Sequence, residues 1–196
     1  MTWRFFAPDQ AVQLGYGTSL PATPYDGQEY TLVDSTSAPT YQWRLRYNAG
    51  AAGANKWEYV GGAPAYATVE ASESTTSLSH VDLTTPGPLL TVPRAGDYLV
   101  EYSGFIAKLS AAGWTTTLST VYVNAGQSSP LVQAIGTVYN AAASPYPWAT
   151  VQARAKLALA ASDVLKVRYS ISVVDTAGHG ANFAWRRLTV TPLRLS

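Results

Sequence analysis

The sequence contains no cysteine, and that single absence removes disulfides, thiol nucleophiles and thiolate metal sites together. Histidine is almost absent too. His80 and His179 are the two imidazoles, and two isolated imidazoles do not make a zinc site. Charge is scarce: Lys, Arg, Asp and Glu make up 13% of the chain, about half the usual share for a soluble domain. The net charge of +1 leaves no field that would gather nucleic acid or an anionic membrane. No apolar run approaches the ~20 residues of a membrane helix. Met1–Pro8 carries no apolar run long enough for a signal peptide, so assembly in the cytoplasm is the expectation. No loop gathers the acids that calcium needs. Gly15-Tyr-Gly17 and Gly50-Ala-Ala-Gly53 read as loops, and neither is followed by the Lys of a phosphate cradle. No metal and no cofactor is expected.

What fills the chain instead is Thr, Ser, Ala, Gly and aromatic residues, with 13 Tyr and 6 Trp. Such a mixture favours strands over helices. With so little surface charge, the repulsion that keeps copies apart is weak, so much of the surface is expected to meet other protein.

Two textures divide the chain. Residues 1–64 are rich in Pro, Gly, Tyr and Trp. Tyr25-Asp26-Gly27 reads as a turn and Glu29–Val33 as a short strand. Tyr41–Tyr47 alternates, with Tyr41, Trp43, Leu45 and Tyr47 on one face and Gln42, Arg44 and Arg46 on the other. A small-residue loop, Asn48–Asn55, then leads to Lys56–Val60, which presents Trp57 and Tyr59 to one side. The pattern predicts a small antiparallel meander, marginal by itself. Gly61-Gly62-Ala63-Pro64 punctuates the boundary, after which Ala65–Asp82 reads as a strand and a loose connection.

Residues 65–196 carry longer strands. Tyr98, Val100 and Tyr102 oppose Leu99, Glu101 and Ser103, and Trp114–Val123 and Leu131–Tyr139 are further strands. Ala149–Leu159 and Val164–Val173 both hold period two over their full length. In Phe183–Leu195 the parity slips at Arg186-Arg187, the mark of a β-bulge. Six or more long strands with no helix between them predict an all-β fold: an antiparallel meander followed by a jelly-roll sandwich. The stretches near Ala141–Tyr146 and Asp175–Gly180 are long enough to cross between sheets.

Catalytic constellations fail in turn. His80 and Asp82 have serines nearby but no Gly-x-Ser-x-Gly elbow, so a loop histidine beside a strand is the preferred reading. Glu70 with Glu73, and Asp97 with Glu101, are the nearest acid pairs for glycoside hydrolysis. Ion pairs with Arg are the commoner fate of strand acids. The expectation is a protein without enzymatic activity. Arg44 and Arg46 share a strand face and would hold either a carboxylate-rich partner or, preferably, acids of their own meander. Trp3, Phe5 and Phe6 precede any clear strand; they must fold back or dock, and the prolines after them favour an extended, docking arm. Tyr139, Tyr146 and Trp148 cluster around Ala141–Pro147, a candidate receptor contact on which sugars stack, or equally a packing surface between subunits. His179, at a glycine-flanked tip, belongs to the same candidate set.

Two resemblances add to this reading. Leu90-Thr-Val-Pro-Arg-Ala-Gly-Asp-Tyr-Leu-Val100 resembles the "VP-x-AG-x-Y" turn of tumour-necrosis-factor/complement-C1q-like jelly rolls. Leu157–Val167 is similar to their "L-x-x-G-D-x-V" turn, with Ser162 where Gly is usual. Upstream, Tyr41-Gln-Trp-Arg-Leu-Arg-Tyr-Asn48 with Lys56-Trp-Glu-Tyr-Val-Gly-Gly62 resembles a module of structural proteins of tailed bacteriophages. The first resemblance implies a homotrimer. The second implies a virion protein: a tail fibre or spike attached to other virion proteins and facing host-surface glycans, or a head decoration or head fibre that stabilises the shell. Polysaccharide depolymerase is the third and least favoured role.

Overall fold

The computed structural model describes residues 15–109, 113–140, 148–173 and 180–196. The chain forms two compact units, Met1–Ala63 and Pro64–Ser196.

In the first unit, β2 (Glu29–Val33), β3 (Gln42–Tyr47) and β4 (Trp57–Gly62) form the antiparallel meander that the alternation predicts. Leu32, Trp43, Leu45 and Trp57 are buried, while Gln42, Arg44 and Arg46 are exposed. Tyr30 and Tyr47 set their rings edge-on to Trp57, and Trp43 donates its indole N–H to the Ala63 carbonyl at 3.0 Å. Edge-on packing of this kind suits the ring quadrupoles. The turn before β2 closes with the Gln28 amide on the Tyr25 carbonyl at 3.1 Å, with Gly27 at φ +81°. The loop between β3 and β4 is held by the Lys56 ammonium, which donates to the Ala51 carbonyl. One element departs from the sequence reading. Gly15–Gly17, read there as a loop, is a strand, β1, pairing parallel with β2. The Tyr30 ring fills the space where side chains on Gly15 and Gly17 would stand, so only glycine lets the backbone come so close.

The second unit contains β5 (Ala65–Val69), β6 (Glu73–Thr75), β7 (Leu89–Thr91), β8 (Gly96–Lys108), β9 (Gly113–Val123), β10 (Gly126–Gln127), β11 (Gln133–Asn140), β12 (Ala149–Leu159), β13 (Val164–Val173) and β14 (Ala181–Leu195). One sheet runs β14-β8-β12, with β5 and β6 both on β14. The other runs β7-β13-β9, with β10 and β11 both on β9. Most successive long strands alternate between the sheets, and every pairing is antiparallel. That order is the jelly roll, and the fold is an all-β sandwich. β11 and β12 belong to different sheets, as do β13 and β14, so both long connections lead from one sheet to the other, as their length suggested.

The core is the set of inward residues that period two marked out. Tyr98, Val100 and Tyr102 of β8 face Val167, Tyr169 and Ile171 of β13, all at most 2% exposed. Each such side chain stabilises the fold by about 1.5–3 kcal/mol. The resemblance motifs have physical causes here. A Cβ on Gly96 would lie 2.3 Å from the Arg194 carbonyl, so the glycine admits the C-terminal strand. The buried Tyr98 hydroxyl returns to the Arg94 carbonyl at 2.7 Å and ties down its own turn. Ser162, in the place of the usual glycine, takes φ +71°, a conformation that a Cβ disfavours. In β14 the register against β8 shifts between Ala184 and Arg187, which is the bulge expected from the parity slip. The bulge puts Trp185 outside at φ +49° and turns Arg186 into the core.

Candidate functional site

The strand directions give the sandwich two unlike ends. At one end lie the turns 92–95, 124–125 and 160–163, held by polar links. The Val92 amide donates to the Asp163 carbonyl at 2.8 Å, and Asn124 bonds both the Asp163 carboxylate and the Val164 amide. At the other end β8 and β11 finish and β9, β12 and β14 begin. Five half-exposed aromatic side chains stand toward these strand ends, on two different faces. Trp114 and Tyr139 are on the outer face of the sheet that holds β9 and β11. Phe105 and Trp185, with Trp148 just before β12, are on the sheet that holds β8, β12 and β14. Half-exposed rings of this size bury little area within the fold and leave apolar surface available for contact.

Trp114 and Tyr139 are the best-defined pair. Strands β9 and β11 place them directly opposite each other, with ring centroids 4.7 Å apart and planes at 42°. They are 49% and 45% exposed. The next outward row is Thr116 and Thr137, with hydroxyls 3.0 Å apart; the row after it is Leu118 and Ile135. On the same sheet, β13 sets Ser172 beside Thr116 and Ser170 beside Leu118. Among the described residues, this part of the face holds no charged side chain.

The opposite outer face differs. Glu101 of β8 lies in register between Arg154 of β12 and Thr189 of β14, and Ser103 lies between Gln152 and Arg187. These residues line an open depression of ≈ 560 Å³, and Arg187 stacks its guanidinium 4.8 Å from the Tyr66 ring. Glu101 is thus a strand acid standing among arginines.

Asp82, Asp97, Glu73 and His80 have structural work. His80 sits with its Nε2 2.7 Å from the Thr120 hydroxyl, and Asp82 turns away to Lys166 at 2.8 Å and Arg168 at 3.8 Å. Asp82 therefore does not orient His80, and Thr120, fully buried, meets no substrate. Burial and then the nearby Arg168 hold the His80 imidazole below its ordinary pKa, so it is neutral at pH 7. Asp97 pairs with Lys156 at 3.0 Å. Glu73 pairs with the buried Arg186 at 2.7 Å and accepts the Thr85 amide and hydroxyl. Burial raises the Glu73 pKa, but these donors outweigh it, and the net is below the usual carboxylate value. No group of three metal-ligating side chains occurs among the described residues.

Of the residues singled out from sequence, Tyr139 and Trp148 stand at the aromatic end. Arg44 reaches Glu29 at 3.5 Å, the intra-meander pairing preferred for it, and Arg46 lies in register between Glu29 and Glu58. Trp3, Phe5, Phe6, Tyr146 and His179 lie outside the described residues. Sequence reasoning passed over Trp114, Phe105 and Trp185. Phe105 was legible, since it shares the outward parity of Leu99, Glu101 and Ser103.

No protein-family model matches the chain. No curated protein matches it either. Among solved structures, it is similar to Eiger TNF from S. frugiperda at 16% identity and a TM-score of 0.45, over 68% of this chain and 94% of that one. The jelly-roll assignment stands on the strand order itself.

Proposed function

We propose that the chain is a non-enzymatic structural protein of a bacteriophage virion, a homotrimeric tail-fibre or spike-type component that attaches the particle to its host. The observation that carries this reading is the pair of half-exposed rings, Trp114 and Tyr139, set side by side on the outer face of a protein of very low charge. Rings of this kind are the anchors of binding surfaces, and three copies would turn weak contacts into firm attachment. The virion setting is supported by the β3–β4 hairpin with its Trp-Arg-Leu-Arg-Tyr-Asn and Lys-Trp-Glu-Tyr-Val-Gly-Gly strands, and the trimer by the turns at Val92–Tyr98 and Leu157–Val164. One acid of each candidate depolymerase pair, Glu73 and Asp97, is held in an ion pair.

A place on the head, as a decoration or head fibre, is the alternative. The exposed Ile135, Leu131 and Leu193 favour it, because aliphatic side chains suit packing against a shell better than contact with a receptor. Two measurements test the proposal. Light scattering should give three times the 20.9 kDa of one chain. Purified protein added to bacteria should block adsorption of the phage that carries it. A monomer mass over the micromolar range would sink the trimer, and unimpeded adsorption would sink the attachment role.

A further inference from the structure

We propose that the outer face formed by β9, β11 and β13 binds a neutral saccharide, with the Trp114 and Tyr139 rings as its stacking platform. This rests on the attachment reading and names the chemical class of the receptor. The two rings are splayed at 42°, and each is about half exposed. Their faces carry the negative side of the ring quadrupole, which attracts weakly positive C–H groups. A pyranose presents such groups on one face and hydroxyls around its rim.

The next row supplies what the rim needs. Thr116 and Thr137 present hydroxyls 3.0 Å apart, with Ser172 alongside. A hydroxyl rotates to donate or accept, as partners of sugar hydroxyls must. Beyond them Leu118 borders a shallow depression of ≈ 400 Å³ that Ser170 and His80 also line. From Trp114 to Leu118 is about 13 Å along the strand, enough for a short oligosaccharide.

The absence of charge decides which saccharide. Among the described residues the cations of this face are Lys166 and Arg168, both held by Asp82. Arg168 is in register with Thr120, about 20 Å along the strand from Trp114. An acidic sugar would find no counter-charge at the platform, whereas a neutral one loses nothing. A second copy of this chain fits less well. An interface of that kind needs ~800 Å² per partner with an apolar core, and here a row of hydroxyls interrupts the apolar rows.

The test is calorimetric titration of the full chain with neutral tetrasaccharides (maltotetraose, cellotetraose and chitotetraose) and with two acidic probes, sialyllactose and tetragalacturonate. At least one neutral probe should bind, with an affinity that does not change with salt. Trp114→Ala and Tyr139→Ala should each weaken it at least about tenfold, and Thr137→Val a few-fold, with melting temperatures unchanged because the rings are half exposed. Binding of acidic probes alone, or full binding by Trp114→Ala, would overturn the proposal. A drop in oligomer mass on Trp114→Ala would overturn it in favour of a self-interface. If no saccharide binds while the protein still blocks phage adsorption, this inference fails and the attachment reading survives. Saccharide binding without any block of adsorption would uphold the saccharide site and remove the attachment reading.

Discussion

Replacing Glu73 by Gln should cost the jelly roll a large part of its stability, because Arg186 would be left charged and dry. Arg186 is 0% exposed, and among the described residues its charge partner is Glu73, with Nη2 2.7 Å from Oε2. Its other contacts are long: 3.4 Å to the Thr85 carbonyl, 3.5 Å to the Ala71 carbonyl, and 5.4 Å to the centre of the Tyr169 ring. Its Nε has no hydrogen bond among the described residues. Breaking one side of such a pair costs about 3–5 kcal/mol, against a total of about 5–15 kcal/mol for a typical domain. Gln keeps an acceptor for the Thr85 amide, so the loss measures the charge rather than an orphaned amide. Urea unfolding followed by tryptophan fluorescence reads it as a shift in midpoint. Adding Arg186→Met should restore most of the loss, since removing both charges is often neutral or better. Acid gives an independent check. The Glu73 pKa is depressed in the folded state, so its contribution is full above the unfolded value of 4.5 and is lost as pH falls through the lower folded value. The parent should therefore lose stability below that pH more steeply than Glu73→Gln. A loss below about 1 kcal/mol, or a double variant no better than the single one, would refute the reasoning.

Ser162→Gly should stabilise the protein by roughly 0.5–1 kcal/mol, because Ser162 holds φ +71° without the freedom of glycine. A melting temperature that falls would show the turn is not strained. Gly96→Ala should destabilise by about 1–3 kcal/mol, since its Cβ would meet the Arg194 carbonyl at 2.3 Å; an unchanged melting curve would mean β14 yields freely there. Lys156→Ala, by contrast, should cost under about 1 kcal/mol, its pair with Asp97 being 58% exposed on the Lys side. A larger loss would mean the outer face is more rigid than its exposure implies.

How legible these features were follows from their physics. In β12 and β13 the two faces differ in chemistry at every step, so burial could be read off the letters. The bulge was legible because Phe183 and Leu188 both had to face the core. Trp114 was hidden by its neighbours. Thr115 and Thr117 are buried while Thr116 faces out, so the Thr run gives no contrast between faces. The strand β1 was hidden because Gly-Tyr-Gly has no alternation, and its pairing depends on the Tyr30 ring lying over the glycines. The Glu73–Arg186 pair joins residues 113 apart, and no local pattern could connect them. Sheet order likewise came from connection lengths rather than from periodicity.

The central claim is that this chain sits on a virus particle and makes its contact with the host. Gold-labelled antibody against the chain, applied to intact phage particles under the electron microscope, tests it most directly. Label concentrated at the tail end is the predicted result. Label spread over the head would move the protein to the decoration role, and particles that stay unlabelled while the free protein is recognised would contradict the account.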